Sequence, residues 1–168
     1  MERNTIEKIF NFLEEKEGKE IPSKWNKLML KYKLTQDLET HPDGSQYRYE
    51  GELNLSYSKI TKLPNDLYVN GDLVLDGCQQ LIKIPDDLYV EVDLALELCQ
   101  QLTELPDNLY VGGNLWLYYT KIQEIPNNLY VGGVLHIRDT PLASKYTNQE
   151  IKDIITSTGG VIIGGILR

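Results

Sequence analysis

The phrase Leu63-Pro64-Asn65-Asp66-Leu67-Tyr68-Val69 returns three more times along this chain. The later copies begin at Ile84, Leu105 and Ile125, and their prolines lie at positions 85, 106 and 126. The period is therefore 21, 21 and 20 residues. Self-similarity at a fixed period in this range is typical of a solenoid, in which each repeat forms one coil and the coils stack.

A triplet with apolar first and third residues follows each phrase, and one more triplet precedes the first phrase. The triplets are Leu53-Asn54-Leu55, Leu73-Val74-Leu75, Leu94-Ala95-Leu96, Leu115-Trp116-Leu117 and Leu135-His136-Ile137. Side chains alternate between the two faces of a strand, so the outer residues of each triplet should point inward and the middle residue outward. The pattern predicts one parallel strand per coil.

Six repeat positions stay apolar in every coil and predict the core. Two of them are the outer positions of the triplet, and three lie in the phrase: the residue before the proline, the later leucine and the valine. The sixth is the position occupied by Ile60, Leu81, Leu102, Ile122 and Leu142. A single coil cannot bury these side chains alone. Stacked coils bury them against each other, at about 1.5–3 kcal/mol for each fully buried aliphatic side chain.

The run from residue 51 to about 143 resembles the leucine-rich repeat, in the short form of bacterial and phage proteins. Leu73-x-Leu75-x-x-Cys78-x-x-Leu81 matches the second half of the family pattern, as does the coil that begins at Leu94. The other three coils match a variant that is one residue shorter. The resemblance implies an α/β solenoid of about five coils that binds other proteins. The chain departs from the family three residues before each triplet, where a leucine is expected and residues such as Glu91 and Gly112 stand.

The segments that flank the repeats are predicted to cap the two ends of one structural unit. Residues 1–50 are predicted to form two amphipathic helices, starting near Asn4 and Pro22, and a hairpin whose strands flank the turn His41-Pro42-Asp43-Gly44. Residues 144–168 form a helix and a strand added to the sheet edge. A partner-binding helix pair is the alternative for the first segment. For residues 144–168 the alternative is a phosphate-binding loop at Gly159-Gly160. However, the helix precedes the strand there, which is the reverse of the order in a P-loop.

Charge and composition restrict the function. The repeats, residues 51–143, carry 5 basic and 13 acidic residues, which matches the net charge of −8 for the whole chain. An acidic solenoid argues against direct binding of nucleic acid, which needs a basic face. The chain has no apolar run long enough to span a membrane and does not begin with a signal peptide, so we expect a cytoplasmic protein of a bacterium or a phage-infected cell.

The residues capable of chemistry form no recognisable catalytic, cofactor or metal set. Cys78 and Cys99 occupy one repeat position and could form a metal or redox pair, but a metal needs further ligands, so we expect buried thiols bonded to the backbone. Asp66, Asp86, Asp87 and Asp107 could form stacked calcium sites, but they lack the calcium-repeat pattern and fit solvated turns better. His41 and His136 complete no catalytic motif, and we expect neither enzymatic activity nor a cofactor.

Two surfaces remain as candidate partner-binding sites. The first is the open face of the triplet strands, which carries acids in early coils and aromatic and basic residues in later ones: Asp72, Asp76, Asp93 and Glu97, then Trp116, Tyr118, His136 and Arg138. Trp, Tyr and Arg dominate interface hot spots, although a C-terminal cap could also cover Trp116. The second is the tyrosine column, which comprises Tyr68, Tyr89, Tyr110 and Tyr130. The column is expected to lie on the side away from the strands. It either stabilises the solenoid by ring stacking or forms a surface for binding a partner or another copy of the chain.

These features together predict a non-enzymatic protein–protein interaction module that binds a protein partner through the open strand face. One alternative is a phage-encoded counter-defence inhibitor, an acidic protein that blocks a host nucleic-acid-binding or nuclease protein. Another is a structural protein that self-associates through the tyrosine column, although a monomer is favoured over a homo-oligomer. A recognition module cut from an enzyme is a further alternative.

Overall fold

A computed structural model of the chain describes residues 8–11, 34–37, 46–86 and 88–168. The described strands are, in chain order, β1 (Leu34–Asp37), β2 (Gln46–Glu50), β3 (Leu53–Asn54), β4 (Leu67–Asn70), β5 (Leu73–Val74), β6 (Tyr89–Val90), β7 (Leu94–Ala95), β8 (Tyr110–Val111), β9 (Leu115–Trp116), β10 (Tyr130–Val131), β11 (Val134–His136), β12 (Val161–Ile162) and β13 (Gly165–Leu167). Two short helices, α1 (Pro141–Lys145) and α2 (Asn148–Ser157), precede the last two strands. The architecture is a parallel-strand β-solenoid.

The strands form two sheets. The triplet sheet has the order β3-β5-β7-β9-β11-β13, and the tyrosine sheet has the order β1-β2-β4-β6-β8-β10-β12. Neighbouring strands are parallel except for the β1–β2 hairpin. Each coil therefore adds one rung to each sheet.

The prediction of one strand per coil is wrong, because the repeated phrase forms a second strand. Leu67-Tyr68-Val69 alternates inward and outward like a triplet, and its backbone pairs in the same way with the next coil. The Glu91 N–H donates to the Val69 carbonyl at 3.0 Å, and the Gly112 N–H donates to the Val90 carbonyl at 2.9 Å. Four complete turns lie between the five triplet strands, rather than the five coils expected.

The six predicted apolar columns form the core, with one partial exception. Leu94, Leu96, Leu109 and Val111 are fully buried, as are the equivalent residues of the other coils to within a few per cent, whereas Ile125 is half-buried. The valines of the phrase are buried in all four copies. The inward side chains of both sheets belong to one continuous core.

Backbone geometry explains why Asp or Asn, and in later coils Gly, occupy particular turn positions of the repeat. Asp66, Asn108 and Asn128 have φ of +53°, +61° and +54°, a left-handed conformation that Asn and Asp tolerate better than other residues with a side chain. Gly112 and Gly132 lie where the coil passes from one sheet to the other. A Cβ at Gly112 would lie 2.1 Å from the Glu91 oxygen of the coil before it, so only glycine fits there.

At the N-terminal side, residues 8–11 are helical, and Ile9 and Phe10 are buried in the same core as the repeats. The predicted hairpin is present as β1 and β2, and β2 joins the tyrosine sheet through β4. The predicted turn at residues 41–44 and the predicted helix from Pro22 lie outside the described residues.

At the C-terminal side, α2 begins with a capping box between Thr147 and Glu150, and it buries Ile151 and Ile155. Strand β12 then pairs with β10, and β13 pairs with β11, so this segment adds a strand to both sheets rather than to one. In the part of the chain that the structure describes, neither the length nor the hydropathy of any helix allows it to cross a membrane.

Leu94→Asp should abolish cooperative folding. Leu94 is fully buried in a central coil, and an unpaired carboxylate there should cost more than about 4 kcal/mol, a large share of the stability of a small domain. Thermal unfolding followed by circular dichroism measures the effect. Asn54→Asp places the same acid on the outward side of β3, where Asn54 is exposed, and should melt close to the parent. Equal melting temperatures for Leu94→Asp and the parent would contradict the inward orientation of the triplets.

Candidate functional site

The strand face is the outward side of the triplet sheet, and its central row runs across all six strands. Register aligns the middle triplet residues with one another, and β13 extends the row. The row is Asn54, Val74, Ala95, Trp116, His136 and Leu167. Rows two residues earlier and two residues later flank it, because side chains at that spacing share a face of a strand.

The aromatic cluster, defined as Trp116, Tyr118, His136 and Arg138, is a connected group within this face. The indole of Trp116 stacks on the imidazole of His136 with centroids 3.6 Å apart and planes 7° apart. The Tyr118 hydroxyl hydrogen-bonds the Nδ1 of His136 at 2.8 Å, and the Arg138 guanidinium lies 5.0 Å from the centre of the Tyr118 ring. The four residues that the sequence singled out are therefore in direct contact.

Exposure within the cluster differs from the expectation of an open surface. His136 is only 7% exposed, so its imidazole is not an accessible group, contrary to the sequence-based expectation. Trp116 and Tyr118 are half-buried, and Arg138 is exposed. His136 lies between β9 and β13 in the sheet, and β13 is a strand that the repeat pattern alone does not reveal.

Burial also sets the charge state of His136. Desolvation lowers the pKa of His136 below its usual value, and the nearby Asp93 carboxylate offsets part of this effect. The folded protein therefore favours the neutral imidazole at neutral pH. A neutral ring suits the stack against the indole and leaves Nδ1 able to bond the tyrosine hydroxyl.

Two of the predicted partner-binding acids, Asp72 and Asp93, belong to a series of hydrogen bonds that links successive coils. Asp72 Oδ1 accepts the Asp93 N–H at 3.0 Å, Asp93 Oδ1 accepts the Asn114 N–H at 2.6 Å, and Asn114 Oδ1 accepts the Val134 N–H at 2.9 Å. Asp93 Oδ2 also accepts from the Asn114 side chain at 3.2 Å. Asp72 and Asp93 thus have a structural role that the sequence analysis missed. Asn114 occupies the same repeat position, and Asn shares an acceptor oxygen with Asp but carries no charge. This pattern indicates that the position requires a hydrogen-bond acceptor rather than a negative charge.

The other two acids, Asp76 and Glu97, lie side by side just after β5 and β7. The Glu97 N–H donates to Asp76 Oδ1 at 2.8 Å, and both side chains are half-buried. Desolvation raises the pKa of both carboxyls, and the Asp76 charge raises the pKa of Glu97 further, whereas Arg138 lowers it. Two carboxylates that repel each other at a partly dry surface favour a cation nearby.

The tyrosine column is a continuous stack on the tyrosine sheet. Successive ring centroids lie 4.9, 4.0 and 4.6 Å apart, with planes within 8° of parallel. The Arg48 guanidinium lies 4.4 Å above the Tyr68 ring at one end, and the Tyr68 hydroxyl donates to Glu91. Desolvation raises the pKa of Tyr68. The ring faces contact each other, so a partner would meet ring edges there.

The cysteines are buried and bonded to the backbone, as expected. The thiols of Cys78 and Cys99 donate to the carbonyls of Leu55 and Leu75, each at 3.1 Å. Burial raises the pKa of the Cys99 thiol to about 12. Asp107, one of the candidate calcium ligands, instead accepts the Asn127 N–H at 2.8 Å. Among the described residues, no three His, Cys, Asp or Glu side chains are placed to hold a metal ion.

Comparison with known proteins finds no family model, no curated protein and no solved structure that matches this chain. The functional inference therefore depends on the residues of this chain. The arrangement with the most binding potential is the aromatic cluster beside Asp76 and Glu97, because it combines an indole, a phenol, an exposed cation and two carboxylates on one rigid sheet.

His136 should make the protein less stable as the pH falls below about 6.5, the ordinary pKa of histidine. Its pKa is lowered on folding, so the unfolded chain binds the proton first and acid favours unfolding. Urea unfolding at about pH 7.5 and about pH 5.5 should show a larger loss of unfolding free energy in the parent than in His136→Phe. Phenylalanine retains a ring against Trp116 but binds no proton. Parallel pH dependence of the two proteins would contradict this assignment.

Cys78 and Cys99 should react slowly with a maleimide until the protein unfolds, because the thiolate is the nucleophile and burial disfavours it. Mass spectrometry of labelling time courses with and without urea measures this difference. Lys152→Cys, on the exposed side of α2, supplies a thiol that should label rapidly in the native protein. Rapid native labelling of Cys78 and Cys99 would contradict their structural role.

Proposed function

We propose that this chain is a non-enzymatic protein–protein interaction module that binds a protein partner through the strand face. The observation that carries the proposal is the aromatic cluster, in which Trp116 is stacked on His136 at 3.6 Å while Arg138 remains exposed. Such a cluster is held by parallel strands, so little conformational entropy is lost when a partner docks. Tryptophan, tyrosine and arginine are the residues that most often form interface hot spots.

The proposal includes the repeat class and the role of the flanking segments. The coils are a short leucine-rich-repeat variant, since the triplet and the Cys78 position fit the second half of that pattern. The segments before β3 and after β11 act as caps that shield the ends of the core. Ile9 and Phe10 on one side, and Ile151 and Ile155 on the other, support this role because they are buried in the common core.

The strand face is favoured over the tyrosine column as the binding surface. In the column, three ring-to-ring contacts and the Arg48 contact cover the ring faces, which supports a structural ladder. The protein is then a monomer that binds a different protein rather than another copy through the tyrosines. Nucleic acid is not its direct ligand, because the repeats carry 5 basic and 13 acidic residues.

Trp116→Ala combined with Arg138→Ala should weaken partner binding by at least about 2 kcal/mol, roughly 30-fold in Kd, the threshold for a hot spot. The partner is captured from nuclease-treated lysate by the immobilised chain, and affinities are then measured by surface plasmon resonance with the purified partner. Loss of the stack on His136 should also cost about 0.5–1.5 kcal/mol of stability, so binding is measured well below the melting temperature of the variant.

Ile82→Ala with Lys83→Ala is the matched control, because it removes an exposed apolar residue and an exposed cation from a loop outside the strand face. The control should bind the partner as the parent does. Unchanged affinity of the Trp116 and Arg138 variant, or an equal loss in the control, would exclude the strand face as the binding surface.

A further inference from the structure

The two faces of the Trp116 indole have different surroundings. The imidazole of His136, on β11, covers one face at 3.6 Å. The other face is directed to the opposite neighbour, β7, where the residue in register is Ala95. Strands lie about 4.8 Å apart, and a methyl group is too short to cover an indole that stands on the next strand. The row therefore leaves space above Ala95 beside an aromatic ring.

Carboxylates surround this space. Asp93 and Glu97 lie two residues before and after Ala95 on the same face of the chain, and Asp76 is next to Glu97 in the preceding coil. Both oxygens of Asp93 already accept hydrogen bonds from Asn114. The Glu97 carboxylate takes part in no hydrogen bond with any residue that the structure describes, so its acceptor capacity remains.

We propose that the strand face binds an exposed arginine side chain of the partner protein, with the guanidinium stacked on the Trp116 indole above Ala95 and hydrogen-bonded to Glu97. The inference rests on the proposed function and names the chemistry of its partner. Charge complementarity supports this proposal, since the Trp116 indole lies on one side of the space and carboxylates lie beside it. A cation over an indole is favourable, and the planar guanidinium combines stacking with paired hydrogen bonds to a carboxylate.

The same geometry favours arginine over lysine. An ammonium is a compact, strongly hydrated charge that cannot lie flat against a ring, whereas a guanidinium is planar and weakly hydrated. A bound guanidinium would also offset the charge of Asp76, which adds to desolvation in raising the pKa of Glu97. Arg138 is two coils from Glu97 and acts on it through charge, while its guanidinium lies over the Tyr118 ring.

The test uses three blocked peptides, acetyl-Gly-Arg-Gly-amide and its counterparts with lysine or citrulline, titrated into the full chain. Nuclear magnetic resonance follows the indole N–H of Trp116 and the amides of Ala95 and Glu97. The arginine peptide should bind about tenfold more tightly than the neutral citrulline peptide, and more tightly than the lysine peptide. No saturable shift, or equal affinity for all three peptides, would overturn the proposal.

Variants locate the site. Glu97→Gln should weaken the arginine peptide about fivefold or more, since it removes the charge but keeps the side-chain size. Glu104→Gln removes an exposed acid elsewhere on the coil and should leave binding unchanged. Ala95→Leu fills the space beside the indole and should abolish the saturable shift. Each variant is confirmed to be folded from its amide spectrum, and equal effects of Glu97→Gln and Glu104→Gln would overturn the proposal.

The outcomes separate this inference from the proposed function. Partner binding that depends on Trp116 and Arg138, together with an arginine peptide that does not bind, would overturn the arginine site and leave the strand face as the docking surface. An arginine peptide that binds as expected, together with partner binding that is insensitive to Trp116 and Arg138, would show that the site binds arginine but that the partner does not dock there, and would contradict the proposed function.

Discussion

Hydrogen bonds between the backbones of successive coils are the constraint on which the rest of the structure depends. Leu94 and Leu96 donate to the next coil, while Gly112 and Gly132 donate to the previous one. These bonds hold equivalent residues of neighbouring coils in register, so every repeat position becomes a row. Inward rows form the aliphatic core, and outward rows determine what the surface presents.

The candidate site is a consequence of this register. Trp116 and His136 are 20 positions apart in sequence, but register places them side by side and stacks their rings. The same repetition places acidic residues of neighbouring coils close together, and these acids have two different roles. Asp93 ties its coil to the next through Asn114, whereas Glu97 retains its acceptor capacity beside a carboxylate that repels it. Two acids of one coil thus have a structural and a potential binding role.

The sequence predicts whatever is local to one repeat. The period, the inward aliphatic positions and the helix that follows the last repeat are indicated by short patterns, and the structure contains all three. The second strand of each coil was missed, because a two-residue strand is defined by its partner in the next coil rather than by its own composition. Burial of His136 depends on β13, about 30 residues later, and the pairing of Asp93 with Asn114 depends on the register between coils. Long-range contacts of this kind leave no local pattern.

Residue-specific amide hydrogen exchange is the most direct test of the central claim that each coil contributes one strand to each of two sheets. The amides of Leu94 and Leu96 bond within the triplet sheet, and those of Gly112 and Gly132 bond beside the tyrosine sheet. All four should exchange slowly and at similar rates, because both sheets open only when the coils separate. Slow exchange at Leu94 and Leu96 with rapid exchange at Gly112 and Gly132 would show that the coils carry a single sheet, and would contradict the account.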